Sequence, residues 1–117
     1  MASSTSHELN TQPFLLGHQR SASGTVAAGQ TIAKYAPLGR VTTTGLLVEA
    51  AHDASDGSAL VVGIASDPID TTAGAASSPM WVGGDFNADL IQWGASWTAS
   101  AQAGAFDRTM IVAYRPA

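Results

Sequence analysis

From Gln30 onward the apolar residues come in short runs, each soon closed off by Gly, Pro, Asp, Ser or Thr. Interruptions at that spacing leave no room for long amphipathic helices and suit short strands joined by turns. Residues 31–35 read as a strand. Ala36-Pro37-Leu38-Gly39 reads as a turn, with Pro fixing φ and Gly supplying permissive geometry. Arg40-Val41 and Leu46-Leu47-Val48-Glu49 flank Thr42-Thr43-Thr44-Gly45 as a hairpin. Asp53-Ala54-Ser55-Asp56-Gly57-Ser58 reads as a polar turn. It precedes Ala59-Leu60-Val61-Val62-Gly63-Ile64-Ala65, the best candidate for a buried central strand. Residues 66–79 read as a long polar connection, and residues 80–87 as a strand bent at Gly83-Gly84. The apolar text continues from Asp89 to Trp93. Residues 96–106 are the best helix candidate, with Ser96 as cap and Ala99, Ala101, Ala103 and Ala105 favouring helix. Residues 109–114 form a last strand, ended by Pro116. The expected fold class is α+β, mostly short β-strands with little helix.

Residues 1–28 differ in kind. They are rich in Ser, Thr, Gln, Asn and Gly, with one apolar island at Pro13-Phe14-Leu15-Leu16. Ordering a residue costs roughly 1–2 kcal/mol, which so polar a segment cannot offset alone. The expected organisation is an extended N-terminal arm over residues 1–28 and a small compact domain over residues 29–117. Pro13 pre-sets an extended chain. Its backbone would pair with an exposed strand edge, Phe14 and Leu16 reaching one side and Leu15 the other. The island is therefore read as a partner-binding element.

Composition narrows the function. A chain of 117 residues buries roughly two-thirds of its unfolded surface and carries a modest core. Alanine supplies much of the apolar fraction, and small domains with thin cores often gain stability by oligomerisation, which points to a subunit. The five basic residues, Arg20, Lys34, Arg40, Arg108 and Arg115, are scattered on a chain of net charge −4. Nucleic acid and anionic membranes are thus not expected partners, since both call for clustered cations. The absence of cysteine removes disulfides, thiolate metal sites and cysteine nucleophiles. Residues 1–8 have neither the basic start nor the apolar run of a secretory signal, and no stretch approaches a membrane span. The expectation is a protein made and kept in aqueous solution.

Catalytic and metal motifs are weak. His7, His18 and His52 form no ligand cluster, and the turn at Asp53, Asp56 and Gly57 lacks the closing Glu of a calcium loop. No Gly-x-Ser-x-Gly elbow occurs, and Gly83-Gly84 has no phosphate-loop spacing. Paired acids such as Asp85 and Asp89 are what a small hydrolase would use, but a chain this short rarely builds a cleft around such a pair. Trp81, Trp93 and Trp97 are a high load for a small domain. They suit either packing in the core or between subunits, or an exposed sugar-binding platform.

Over residues 35–93 the order of features resembles the lambda-type phage head decoration proteins. The residues that carry the resemblance are Ala36-Pro37-Leu38-Gly39, a strand pair around residues 42–49, and Asp56-Gly57-Ser58-Ala59 leading into Val62-Gly63-Ile64-Ala65. Thr71-Thr72 follows, then Gly84-Asp85-Phe86 ahead of Leu90 and Trp93. The polar arm also fits, although it is longer than usual, and the Ala/Gly-rich stretch over residues 93–105 departs from the family pattern. The resemblance implies a homotrimeric, non-enzymatic structural protein without cofactors. Its partners would be the major capsid protein and its own copies. It would sit on the outer surface of the phage head at local three-fold positions, after synthesis in the host cytoplasm, and stabilise the shell against packaged DNA. Pro13, Phe14, Leu15 and Leu16 would contact the capsid, with Trp81, Trp93 and Trp97 in the trimer interface or core. The rival reading is a carbohydrate- or receptor-binding module using exposed tryptophans.

Overall fold

In the computed structural model, which describes residues 14–115, two twelve-residue strands dominate: β1 (Leu15–Val26) and β7 (Ala76–Asn87). Between them lie β2 (Thr31–Ile32), β3 (Pro37–Arg40), β4 (Leu47–Glu49), β5 (Val61–Ala65) and β6 (Ile69–Asp70). A 3-10 turn (Ala88–Leu90), helix α1 (Ala99–Ala103) and β8 (Met110–Tyr114) follow. The domain is therefore mostly β, with one short helix. β1 runs antiparallel to β7 and also meets β4 at Val26 and Leu47. Because β4, β3, β5 and β7 are joined in turn, the pairings close into a ring, to which β8 is added in parallel along β7. β2 and β6 form a separate two-stranded ribbon.

The buried side chains fall into two clusters. Val26, Ile32, Leu38, Leu47, Ile69 and Met80 gather in one. Phe14, Val61, Ile64, Phe86, Ile91, Trp97, Phe106 and Ile111 gather in the other. β5 is buried along nearly its whole length, as short apolar text bounded by turns requires. Thr71 ties the end of β1 to the domain. Its hydroxyl donates to the Ala27 carbonyl and accepts from the Gln30 amide, beside backbone bonds from Gly29 to Thr71 and from Thr71 to Gln30.

Several elements differ from the sequence expectation. Ala36-Pro37-Leu38-Gly39 is not a turn. Pro37–Arg40 is β3, between β4 and β5, and Pro37 opens it, a strand position that proline tolerates. The turn comes earlier, where the Ala36 amide reaches the Ala33 carbonyl (3.2 Å) and Tyr35 takes φ +71°, so the strand expected over residues 31–35 shrinks to β2. Gly39 serves close approach, since a Cβ there would run into the backbone of Ser58. The polar connection over residues 66–79 contains β6 and the start of β7. The apolar text after Asn87, given no element from sequence, opens with the 3-10 segment. The helix is shorter than residues 96–106. Thr98 caps it, its hydroxyl accepting from the Ala101 amide (3.2 Å), while the Ser96 hydroxyl accepts from the His52 amide (2.9 Å). Gly104 ends it.

Two acids are spent on turns. Asp56 accepts from the Ser58 hydroxyl (2.6 Å) and amide (3.0 Å), and Asp70 accepts from the amide and hydroxyl of Thr72. These bonds favour the ionised carboxylates and hold both pKa values below the usual range. Partial burial raises that of Glu49.

Gly39→Ala should destabilise the domain by about 1–3 kcal/mol, the cost of an overpacked site, in urea unfolding. Acid should also weaken the fold through Asp56 and Asp70. Each is more acidic folded than unfolded, so its contribution is full above a pH of about 4 and fades as pH falls through the lowered folded value. Glu49 acts with the opposite sign. The melting temperature of an Asp56→Asn, Asp70→Asn variant, whose amides keep an acceptor oxygen, should fall less steeply below that pH than the parent's.

Candidate functional site

Of the four residues expected to bind a partner, Pro13 lies outside the described residues, Phe14 immediately precedes β1, and Leu15 and Leu16 open it. Phe14 is 4% exposed. Its ring stacks on Tyr35, with centroids 3.8 Å apart and planes at 15°, and touches Phe86 at 5.1 Å. Its carbonyl accepts from the Asn87 amide (2.9 Å). Leu16 is half-buried, whereas Leu15 is 38% exposed. The island is thus divided between an anchor in the core and a face open to contact.

Tyr35 was not singled out by sequence, because nothing in the spacing of residues marks an aromatic side chain at φ +71°. For a non-glycine residue that conformation is costly and needs fixing from outside. The Tyr35 amide donates to the Ala65 carbonyl (2.9 Å) and its carbonyl accepts from the Gln92 amide (3.1 Å). The Lys34 ammonium lies 5.0 Å from the ring centroid, so the ring has Phe14 and a cation as neighbours.

Beyond Leu16, β1 is held mainly by its backbone. His18, Gln19, Arg20, Ser21, Ala22 and Ser23 are exposed, yet β1 keeps register with β7 from Leu15 opposite Phe86 to Val26 opposite Ala76, with shifts between Leu15 and Ser21. Gly84 at φ +122° lies under the shifted part, where a Cβ would meet the backbone of Gln19 at 2.8 Å. The result is a polar ribbon pinned at both ends, by Phe14 and by Val26.

The tryptophans sit inward. Trp97 is buried, with its indole N–H donating to the Ala50 carbonyl (3.0 Å). Trp93 is half-buried against Trp97 (5.1 Å) and Phe106 (5.6 Å). Trp81 is half-buried on β7, 6.2 Å from Phe86. No flat, open platform of the kind sugar binding uses is built from them. Asp89 is exposed and paired with Arg115. Neither Asp85 nor Asp89 lines the grooves beside α1. Among the described residues no three His, Asp or Glu side chains converge as a metal site.

A family model described as bacteriophage lambda head decoration protein D matches residues 7–112. No curated protein matches the chain.

Phe14→Ala should cost about 3–5 kcal/mol, as for a core Phe, while Leu15→Ala should stay within about 0.5. Urea denaturation of both variants separates anchor from contact face; equal small losses would contradict the division.

Proposed function

Because the chain belongs to the bacteriophage lambda head decoration protein family, we propose that it binds the outer surface of the assembled phage head as a trimer at local three-fold sites and stabilises the shell against packaged DNA. The coarser part of this reading, a structural role in the phage capsid, comes with the family itself. The observation that carries the proposal is the extent of the match, which runs through nearly the whole chain and takes in part of the arm.

The major capsid protein is the proposed partner, and residues 1–28 the proposed arm. β1 would act as the arm's stem, with Leu15 and part of Leu16 facing the shell, Phe14 anchoring the stem, and Pro13 directing the residues before it. An extended segment can add to a strand edge on the capsid, where backbone bonds give affinity and alternate side chains give register. Three arms per trimer add avidity without new contacts. A contribution of Trp81, Trp93 and Trp97 to the trimer contacts is part of the same proposal, beside their packing within the domain. Synthesis in the host cytoplasm and assembly onto a finished head follow from this role.

The position of Phe14 sets where the arm must be cut. Removing residues 2–20 takes Phe14 out of the core and costs stability. Removing residues 2–12 spares it. The shorter deletion should leave the melting temperature nearly unchanged and sharply reduce co-sedimentation with expanded, DNA-free capsids of the phage that encodes the chain. Undiminished co-sedimentation would assign attachment to the folded domain, and failure of the full chain to co-sediment would overturn the proposed function.

A further inference from the structure

Tyr35 takes φ +71°, a conformation that bulky residues rarely adopt and that glycine would hold without strain. Glycine, however, offers no ring. The Tyr35 ring lies face to face with Phe14, at 3.8 Å and 15°. The direction of Cβ follows φ, so a residue 35 relaxed to negative φ would carry its ring away from Phe14. The stack therefore favours the left-handed state alone, and a contact shifts an equilibrium only through such a preference.

The backbone bonds of Tyr35 depend on the same state. Its amide donates to the Ala65 carbonyl (2.9 Å) and its carbonyl accepts from the Gln92 amide (3.1 Å). The angle between those two groups is set by φ and ψ of residue 35, so both bonds cannot outlive a change of φ. Ala65 is fully buried in β5, and its own amide is held by the Ala36 carbonyl. Gln92 is exposed, on the segment after the 3-10 turn. The Gln92 bond is therefore the one to break. Gln92 adjoins Trp93, whose ring packs on Trp97 and Phe106. One strained residue thus connects Phe14, at the start of β1, to residues 91–97, which belong to no strand.

We propose that Phe14 and Tyr35 form a conformational latch. With Phe14 seated, residue 35 is held left-handed and the Gln92 bond is closed. With Phe14 withdrawn, residue 35 relaxes and the segment over residues 91–97 is freed. Strained residues persist only where their neighbours fix them, and they cluster in switch regions. Through the latch, the position of Phe14 is felt at the pair of Trp93 and Trp97. The device needs no identified partner and stands apart from the capsid reading.

Native-state hydrogen exchange of the full chain at low denaturant tests the latch without a variant. The Asn87 amide, bonded to the Phe14 carbonyl, reports withdrawal of Phe14, and the Gln92 amide reports release of Tyr35. The two should open together, with one free energy and one denaturant slope, below the global unfolding read at the amides of β5. An Asn87 amide that opens while Gln92 stays protected overturns the proposal, as does opening of both only together with β5. Variants then separate latch from packing. Phe14→Leu keeps an apolar side chain but loses the ring, and should speed Gln92 exchange relative to the β5 amides about tenfold, the scale of a lost aromatic pair. In a Tyr35→Gly background the left-handed backbone carries no strain and there is no ring to lose, so the same substitution should change that ratio less than about twofold. Equal acceleration in both backgrounds, or none with Tyr35 present, overturns the proposal.

Discussion

β7 is the strand that three distant parts of the chain share. β1 occupies one of its edges. Its other edge is divided between β5, at Met80 and Trp81, and β8, from Gly83 to Asn87. The handover falls at Gly83-Gly84, where bare backbone lets the shifted part of β1 come close. Phe86, fully buried two residues later, brings the same strand against Phe14. Loss of β7 would therefore release the N-terminal stem, the central sheet and the C-terminal strand together. Pairings so far apart in sequence form only after long loops have closed, so their backbone bonds have to outweigh that entropy.

How much of this was legible depended on what holds each element. β5 and β8 could be read because burial writes itself into β-branched, turn-bounded text: Val61, Ile64 and Ile111 are all inside. The mostly β character followed from the same signal. β1 was hidden because its middle buries almost nothing; backbone pairing and two end anchors hold it, and neither leaves a periodic pattern. Pro37 and Gly39 misled because a proline opening a strand and a glycine making room for a neighbouring backbone look, in sequence, like a turn. Ser96 and Thr98 are both good caps, and only the contact of Ser96 with His52 decides between them. In the candidate site, Phe14 was legible as important, but its partner Tyr35 was not, since the left-handed backbone that presents the ring is set by tertiary hydrogen bonds.

On the proposed function, β1 would give the decoration role a mechanical form. Phe14 is fixed by Tyr35 and Phe86, Val26 by Leu47, and the chain just beyond by Thr71. A load applied to the N-terminal arm would thus enter the domain through a long antiparallel ladder in shear, distributed over many backbone bonds, and not through a loop. Polar side chains leave the middle of β1 facing solvent, and on the proposed function the same lack of bulk would leave room for a partner strand beside it.

The most direct test of the central claim is electron cryomicroscopy of expanded capsids from the encoding phage, imaged with and without saturating protein. The account predicts added density on the outer surface, centred on the local three-fold positions, with the β1 end of each domain turned toward the shell. Absence of added density, or density confined to the inner surface, would contradict it.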